Sequence, residues 1–410
     1  MSHAISAASS GDRNVARRNA VLLAASQAIV GSAAPIAISV GGLAGSYLLG
    51  PDKSLATAPV TAFTAGVAIG AVLAAGVMRL VGRRYGLMAG TLLTAGGGLL
   101  AVLALYSADF WLFAFALMVV GFGGAFVQQY RFAAADAAPV AFKPQAISLV
   151  LAGGVFAAII GPQTVIHTRT ALSPVLYAGC FAALVPLALI GMLVLSFLRV
   201  TDQAALLDDE GDEPARPLGE IVANGQFLTA LACGVGAYAL MTFMMTGAPL
   251  AMVGAGFSPD MAAWGIQWHV MAMYVPSFFT GRLILRFGKA RIVALGFLLL
   301  LACAVVAHLG TAVWNFWLAL ILLGLGWNFG FIGSTAMVTS CYRHSEKNKV
   351  QGFHDVVLFS CVALASLASG KVLNAFGWNV INLLFLPVAI FCLALLSVSA
   401  FRAAERRKAA

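Results

Sequence analysis

Three ionisable side chains lie well inside apolar segments of this chain, where they could carry protons or charge. Asp355 lies about six residues inside one such segment with His354 beside it, and His269 lies deeper in another. An ionisable side chain inside a membrane is costly to retain without a role. The sequence leaves three roles open for Asp355: a gate or helix tether, a proton carrier, or a substrate contact. For His269 the alternative is a buried histidine that only hydrogen-bonds to its neighbours.

A second set of side chains combines flat aromatic rings with neutral hydrogen-bonding groups. In the segment 264–274 they recur at i, i+3, i+4, i+7 and i+10, on one helical face: Trp264, Gln267, Trp268, Met271 and Tyr274. Other candidates lie within about one turn of the middle of their apolar segments: Tyr238, His269, Trp327, Asn328, Gln128, Gln129 and Tyr130. Because little fixed charge accompanies these groups, they predict a binding site for a planar, neutral, hydrogen-bonding solute.

Some of these residues also have purely structural interpretations. Trp264 is close enough to the end of its segment to anchor the chain at a membrane interface. Gln128 and Gln129 could instead hydrogen-bond between helices. The glycines of residues 324–330 lie inside an apolar segment with no preceding strand, so close helix packing is favoured over a nucleotide-binding loop.

The sequence lacks the motifs of enzymes and of resident metals or cofactors. It contains no H-E-x-x-H, no G-x-S-x-G and no clustered metal ligands. Its six cysteines show no C-x-x-C spacing and mostly lie inside apolar runs, as small buried hydrophobic residues do. We therefore expect neither an enzyme nor a bound cofactor.

The elements that must position these side chains are membrane-spanning helices. The chain is 61% hydrophobic and 10% charged, with a mean hydropathy of +0.95, which excludes a water-soluble protein. An all-α integral membrane protein with twelve transmembrane helices is predicted, with apolar stretches at about 20–49, 58–80, 86–106, 110–134, 144–167, 173–198, 224–252, 259–284, 290–309, 313–341, 349–371 and 376–401.

The basic residues predict how these spans are oriented. Of the 24 lysines and arginines, 21 lie at one set of alternating span ends, which we call the basic ends; only Lys53, Arg169 and Lys371 lie at the opposite ends. By the positive-inside rule, this predicts a multi-pass protein of the bacterial inner membrane with both termini in the cytoplasm. The apolar run from Ala20 is too long for a signal peptide, so an uncleaved first span is expected.

The basic residues do not predict a nucleic-acid partner. The formal charge of +9 is spread over the loops and tails without an aromatic-basic stripe. Such a distribution favours contact with anionic lipid, so the bilayer is the expected partner besides a small-molecule substrate.

The chain is predicted to consist of two six-helix halves, residues 1–200 and 221–410. Between them, residues 201–220 hold seven of the fifteen acids and two prolines, which is typical of a polar cytoplasmic linker. The halves echo each other: the pattern L-x3-G-x-G-x-x-F occurs at Leu117 and again at Leu320, an offset of 203. The motif K-x-Q at Lys143 and Lys349 and the basic turn after Gly82 and Gly288 recur at an offset of 206.

Two parallel repeats of six helices are the architecture of the major facilitator superfamily, and the motifs resemble that family as well. Residues 281–289 resemble its loop signature G-x-L-a-D-r-x-G-r-k, and residues 75–84 are a weaker copy. Both copies lack the acid, whose places are taken by Arg79 and Leu285. The resemblance implies that Arg79 and Arg286 take part in gating, together with Asp355 and His354, and that another contact restrains the gate.

The second half resembles a more specific branch, the riboflavin transporters of proteobacteria. The residues that carry this resemblance are Gly326-Trp327-Asn328-Phe329, Gly333-Ser334-Thr335, Tyr342, Glu346, Val350-Gln351, His354-Asp355, Ser366 and Ser369-Gly370. The resemblance implies import of riboflavin or a related flavin by alternating access, with a monomer as the working unit. The alternative is a proton-coupled exporter of drugs or other metabolites, which Gly161-Pro162 favours because it matches part of the antiporter signature.

Overall fold

The computed structural model describes residues 2–139, 142–199 and 216–409, and every regular element in these ranges is a helix. Eleven of the described helices are long and apolar enough to cross a membrane. The first half contains α1 (Asn14–Leu48), α2 (Ala58–Val81), α3 (Arg83–Tyr106), α4 (Phe110–Asp136), α5 (Lys143–Thr168) and α6 (Ala178–Ser196).

The second half contains the remaining helices, one of which is broken. They are α7 (Gly225–Gly254), α8 (Pro259–Tyr274 and Ser277–Phe287), α9 (Lys289–His308), α10 (Val313–Val338), α11 (Lys347–Phe376) and α12 (Trp378–Ala409). The predicted twelve-span all-α fold is thus confirmed, with the eighth span divided into two segments. The division lies at Pro276, because proline has no N–H to donate to the preceding turn.

The chain folds as two compact units, each of which is described by itself. The first comprises Met1–Gly50 and Ala62–Glu210, and the second comprises Pro51–Thr61 and Gly211–Ala410. The segment Pro51–Thr61 therefore differs from the predicted division at residue 200. It packs in the second unit because Thr57 donates a hydrogen bond to the carbonyl of Ser366. Of the predicted linker, residues 201–215 lie outside the described residues.

Close packing at glycines supports the internal repeat in both units. A Cβ atom on Gly123 would clash with Thr94, so α3 and α4 approach closely in the first unit. A Cβ atom on Gly326 would lie 2.9 Å from the carbonyl oxygen of Gly296, so α9 and α10 approach in the same way in the second. Residues 324–330 therefore serve helix packing, as their apolar context predicts.

Candidate substrate site

Four aromatic side chains of the second unit form one connected group, which we call the ring cluster. It consists of Tyr238 on α7, Trp327 and Phe331 on α10, and Phe359 on α11. The edge of Tyr238 meets the other three rings at centroid distances of 5.5, 5.1 and 6.1 Å, respectively. Trp327 and Phe331 stack at 5.1 Å with an angle of 21° between their planes. Both arrangements are favoured by the quadrupoles of aromatic rings.

The ring cluster lies at mid-height of its helices and is open on part of its surface. All four residues lie near the middle of α7, α10 and α11, and α7 packs against both other helices. Tyr238, Phe331 and Phe359 are half-buried, whereas Trp327 is only 8% exposed. Among the described residues, the indole N–H of Trp327 has no hydrogen-bond partner. The cluster thus combines three half-buried rings with a buried indole donor that has no partner among the described residues.

Asn328, the neighbour of Trp327, is fully buried and joins α10 to both segments of α8. Its amide nitrogen donates to the carbonyl oxygen of Met273 at 2.6 Å and to Oγ of Ser277 at 2.7 Å. Its amide oxygen accepts a hydrogen bond of 2.6 Å from the hydroxyl of Thr280. Backbone groups that a proline frees inside a membrane must find other partners. The amide of Asn328 is the partner of such a backbone group beside Pro276, the carbonyl of Met273. It therefore bonds to α8 and is not free to bind a solute.

The predicted face of α8 divides into exposed and buried residues. Trp264 and Trp268 are exposed, while Gln267 and His269 are buried. The Nδ1–H group of His269 donates to the carbonyl oxygen of Leu320 on α10 at 2.9 Å. His269 therefore ties α8 to α10, and Trp264 and Trp268 are the members of this group that present a ring at the surface of the unit.

The first unit presents Gln128 but encloses Tyr130. Gln128 is exposed on α4. Tyr130 is fully buried in a core cluster that includes Ala16, Ala20, Leu23, Leu87 and Val127. The aromatic ring expected at the wall of a site is thus part of the core of its unit in this structure.

His354 and Asp355 form a pair on α11. Nδ1 of His354 and Oδ1 of Asp355 are 3.0 Å apart. The histidine is buried against α7, whereas the carboxylate side chain is 60% exposed. Nε2 of His354 is buried and lacks a partner among the described residues. The pair therefore connects the exposed face of α11 with the interior of the second unit.

Arg79 and Arg286 lie at the basic ends of α2 and α8, and both are exposed. Leu285, which takes the place of the acid in the second loop, is 89% exposed. An acid at this position would therefore reach solvent or a partner, whereas the leucine offers no charge to pair with an arginine.

A strong ionic contact occurs elsewhere, between Arg216 and Glu346. The buried carboxylate of Glu346 accepts hydrogen bonds of 2.8 Å from Nε and Nη2 of Arg216. It also accepts backbone hydrogen bonds from Arg216 at 2.8 Å and Arg343 at 2.9 Å. The Arg216 guanidinium holds the pKa of Glu346 well below its ordinary value. This contact fastens the end of the predicted linker to the loop between α10 and α11.

Reasoning from the sequence missed Phe331, Phe359 and the partner of Glu346. Phe331 follows Trp327 by four residues, so helical spacing alone could have added it to the site. Phe359 follows Asp355 at the same spacing. The pairing of Arg216 with Glu346 joins residues 130 positions apart, and spacing along the chain contains no signal for it.

The model of the Major Facilitator Superfamily matches residues 19–275 and 248–410, which together cover nearly the whole chain. The chain belongs to the major facilitator superfamily. Membership agrees with the two packed repeats and with the helical, multi-pass membrane architecture. It also supports a small-molecule substrate.

Two relatives within the superfamily match over almost their full lengths. The chain is 48% identical over 385 residues to the riboflavin transporter RfnT of Brucella anthropi, covering 93% of this chain and 96% of that protein. It is 28% identical over 400 residues to YdeG of Bacillus subtilis (strain 168), an uncharacterized transporter of the same superfamily, covering 92% and 93%.

Two solved transporter structures share the fold at low sequence identity. A point mutant of the nucleoside transporter NupG has a TM-score of 0.68 at 13% identity and covers 94% of this chain and 99% of that chain. The transporter PepTSo of the POT family has a TM-score of 0.69 at 14% identity and covers 95% and 98%. Both likenesses concern the fold alone.

Proposed function

We propose that this protein transports riboflavin, or a closely related flavin, into the cell by alternating access. The observation that carries the proposal is the 48% identity to a riboflavin transporter over 93% of the chain. The chemistry of the ring cluster supports the same solute.

The isoalloxazine part of a flavin is a flat, uncharged, three-ring system with polar edges. The half-buried faces of Tyr238, Phe331 and Phe359 offer stacking surfaces of matching chemistry. Each aromatic contact contributes on the order of 1 kcal/mol beyond area burial. The neutral ring cluster suits a neutral substrate, because no charge on the protein has to be desolvated without a partner.

The proposed substrate-contacting residues follow from membership of the ring cluster and from exposure. Tyr238 and Trp327, as members of the ring cluster, contact the rings of the solute, and the exposed Trp268 and Gln128 are further contacts. The buried groups of Gln267, His269, Asn328 and Tyr130 hold these residues in position rather than touching the solute.

The gating residues are proposed from charge and position. Asp355 and His354 form a hydrogen-bonded pair on α11, and Arg79 and Arg286 are the exposed cations at the basic ends of α2 and α8. The buried contact of Arg216 with Glu346 anchors the linker on the same side, which supplies a restraint that the acid-free loops lack.

The basic ends are proposed to face the cytoplasm. The 21 basic residues at these ends, against three at the opposite ends, support an inner-membrane location with both termini inside. We propose a monomeric carrier rather than an enzyme or a nucleic-acid-binding protein.

A proton-coupled exporter is the second candidate, because Gly161-Pro162 matches part of an antiporter signature. The structure offers a packing reason for Gly161: a Cβ atom there would lie 2.7 Å from Pro35 and 2.9 Å from the carbonyl oxygen of Ser32. The glycine therefore permits close approach of α5 to α1 whichever way the solute moves.

Uptake of labelled riboflavin by riboflavin-auxotrophic cells that express this chain tests the proposal. We expect saturable uptake above that of cells with an empty vector and growth at limiting external riboflavin. An abolition of uptake by a protonophore indicates proton coupling, and unchanged uptake indicates a facilitator. Loss of preloaded riboflavin without uptake would establish the exporter instead.

A further inference from the structure

A cavity at the opposite ends of the second unit lies apart from the ring cluster. We call it the Trp378 cavity. It has a volume of about 640 Å³, which is within the range of about 300–1,000 Å³ for small-molecule sites. Its lining comes from the end of α7, the loop before α10 and its start, the ends of α11, the start of α12, and the segment Pro51–Thr61.

The lining of the Trp378 cavity combines two rings with hydrogen-bond donors. Trp378 is the partly exposed ring of one wall, and the buried Phe316 packs against it with ring centroids 5.1 Å apart and planes inclined at 38°. Lys53, Thr311 and Asn374 contribute an amine, a hydroxyl and an amide, and no lining residue is an acid. The indole N–H of Trp378 is buried and has no partner among the described residues. A ligand that brings an acceptor to this N–H would satisfy a donor that is otherwise left unpaired.

The Trp378 cavity is too far from the ring cluster to be part of the same site. Phe316 precedes Trp327 by eleven residues on the uninterrupted helix α10. At about 1.5 Å per residue, the two are separated by roughly 16 Å along the helix axis. A single three-ring solute does not bridge that distance, so the two places would hold different molecules.

We propose that the Trp378 cavity is a second binding site for the flavin, at which the solute docks on the outer side. The inference rests on the proposed function, which supplies both the solute and the outward position of the opposite ends. The ring of Trp378, with the buried Phe316 packed behind it, contacts the flat face of the flavin. The donors of Trp378, Lys53 and Asn374 match the carbonyl oxygens along its pyrimidine edge.

The number of bound flavins tests this proposal directly. Flavin fluorescence is quenched on stacking against tryptophan, so titration of riboflavin into the purified chain in nanodiscs reports occupancy. We expect two equivalents for the wild type, and Trp327→Ala should weaken the binding of one of them roughly five- to tenfold. In the Trp327→Ala background, Trp378→Phe and Asn374→Ala should each weaken the other site by roughly fivefold, as expected for one lost hydrogen bond.

Trp314→Phe is the matched control, since Trp314 lies at the same end of α10, is 72% exposed and does not line the cavity. It should leave both sites unchanged. Trp378→Phe keeps an aromatic ring in the wall, and Asn374 is exposed, so the pair of variants separates ligand binding from folding. Helix content by circular dichroism and elution as a single species check that each variant is folded.

Competition from outside tests the sidedness of the site. Riboflavin coupled through its ribityl chain to dextran is too large to be transported, and we expect it to inhibit riboflavin uptake by spheroplasts, whose outer membrane has been removed. Asn374→Ala should weaken that inhibition about fivefold, and Trp314→Phe should not change it.

Four results would overturn the inference. If the wild type transports riboflavin but binds only one equivalent, the proposal for the Trp378 cavity fails and the proposed function stands. If the wild type neither binds nor transports riboflavin, the proposed function fails as well. Unchanged affinity in both Trp378→Phe and Asn374→Ala moves the second site elsewhere. If inorganic phosphate binds at the Trp378 cavity, riboflavin does not compete with it, and Lys53→Gln abolishes the phosphate binding, the cavity is an anion site instead.

Discussion

The repeat-related helices α4 and α10 keep the same packing glycines but differ where a solute would be bound. Where α10 carries Trp327 and Phe331 of the ring cluster, α4 carries a glycine and an exposed glutamine. At the offset of 203, the correspondences are Gly123 with Gly326, Gly124 with Trp327, and Gln128 with Phe331. The repeat therefore preserves how helices approach each other, whereas the residues that could contact a solute diverge between the halves.

Helices α2 and α8 differ in a related way. In the first unit, Gly70 packs against Ala125, with an ideal Cβ on Gly70 only 2.9 Å from the Cβ of Ala125. At the repeat-related positions of the second unit stand Pro276 and Asn328, which break α8 and bind the broken ends. One half thus uses contact between small residues, and the other uses a polar clamp at a helix break.

The largest expected effect comes from removing this clamp. Asn328→Ala leaves the carbonyl of Met273 and the hydroxyls of Ser277 and Thr280 without the amide. At about 1 kcal/mol for each of the three hydrogen bonds, we expect a loss of about 3 kcal/mol, or about a hundredfold in the folding equilibrium. Thermal unfolding of the purified protein in detergent measures this loss.

The double variant Pro276→Ala/Asn328→Ala sharpens the comparison with α2. Restoring an N–H at position 276 lets α8 continue through the break, so part of the stability lost in Asn328→Ala should return. Additive destabilisation by the two substitutions would mean that Asn328 does not act at the break.

The ion pairs of the two halves should also differ in their effect. Glu346→Gln removes a buried, multiply bonded carboxylate, whereas Asp136→Asn breaks an exposed pair with Arg83. Exposed pairs contribute roughly 0–1 kcal/mol, so Asp136→Asn should change the melting temperature little. A clearly lower melting temperature is expected for Glu346→Gln, and equal shifts would contradict the comparison.

The contribution of Glu346 to folding stability should fall as the pH is lowered. Its folded-state pKa lies below the ordinary value of 4.5, so its stabilisation is complete above that pH. The stabilisation is lost as the pH falls from there toward the folded-state pKa. Between pH 7 and pH 4 the wild type should lose stability relative to Glu346→Gln, as measured by thermal unfolding at each pH.

The sequence predicted the fold because membrane solvation acts on every residue of a span. The apolar stretches, the basic ends and the echoes at Lys143 and Lys349 all follow from local composition or repeat spacing. The break of α8 was the exception, although Pro276 stood in the middle of the predicted span. Prolines also occur inside α5, α7 and α12 without dividing those helices, so the residue type alone did not identify the break.

The site was less predictable because exposure depends on helix rotation and on contacts distant in sequence. Asn328 and Trp327 are neighbours at mid-helix, yet one binds α8 and the other joins the ring cluster. Tyr130 and Gln128 lie two residues apart, yet only Gln128 is exposed. Depth in a span can be counted from sequence, whereas the direction of a side chain requires the packing of its neighbours.

A smaller effect, on transport rather than stability, is expected from Asp355. At the offset of 206, the first half has Ser148 and Leu149 where the second has His354 and Asp355, so the pair of ionisable residues belongs to one half only. Asp355→Asn should lower the rate of riboflavin uptake about tenfold with normal abundance in the membrane, since an intramembrane acid is costly without a role. Wild-type rate and wild-type pH dependence in this variant would remove Asp355 from the mechanism.

Substrate affinity should respond to the ring cluster more modestly. Trp327→Ala removes one stacking surface and its edge contact with Tyr238, so the apparent affinity for riboflavin should fall roughly five- to tenfold. Trp314→Ala, on the same helix but outside the cluster, should leave affinity unchanged. Equal losses in both variants of the uptake assay would indicate general destabilisation of α10.

The smallest effect on riboflavin affinity is expected in the first half, where Gln128 is the repeat counterpart of Phe331. Gln128 is exposed, so its amide competes with water, and a hydrogen bond from it contributes at the low end of about 0.5–1.5 kcal/mol. Gln128→Ala should therefore raise the riboflavin concentration for half-maximal uptake by about twofold, with an unchanged maximal rate. Phe331→Ala, at the repeat-related position, should have a larger effect because it removes a ring that stacks on Trp327. If Gln128→Ala is the more damaging of the two, the first half carries the principal contacts, and the ring cluster serves packing within the second.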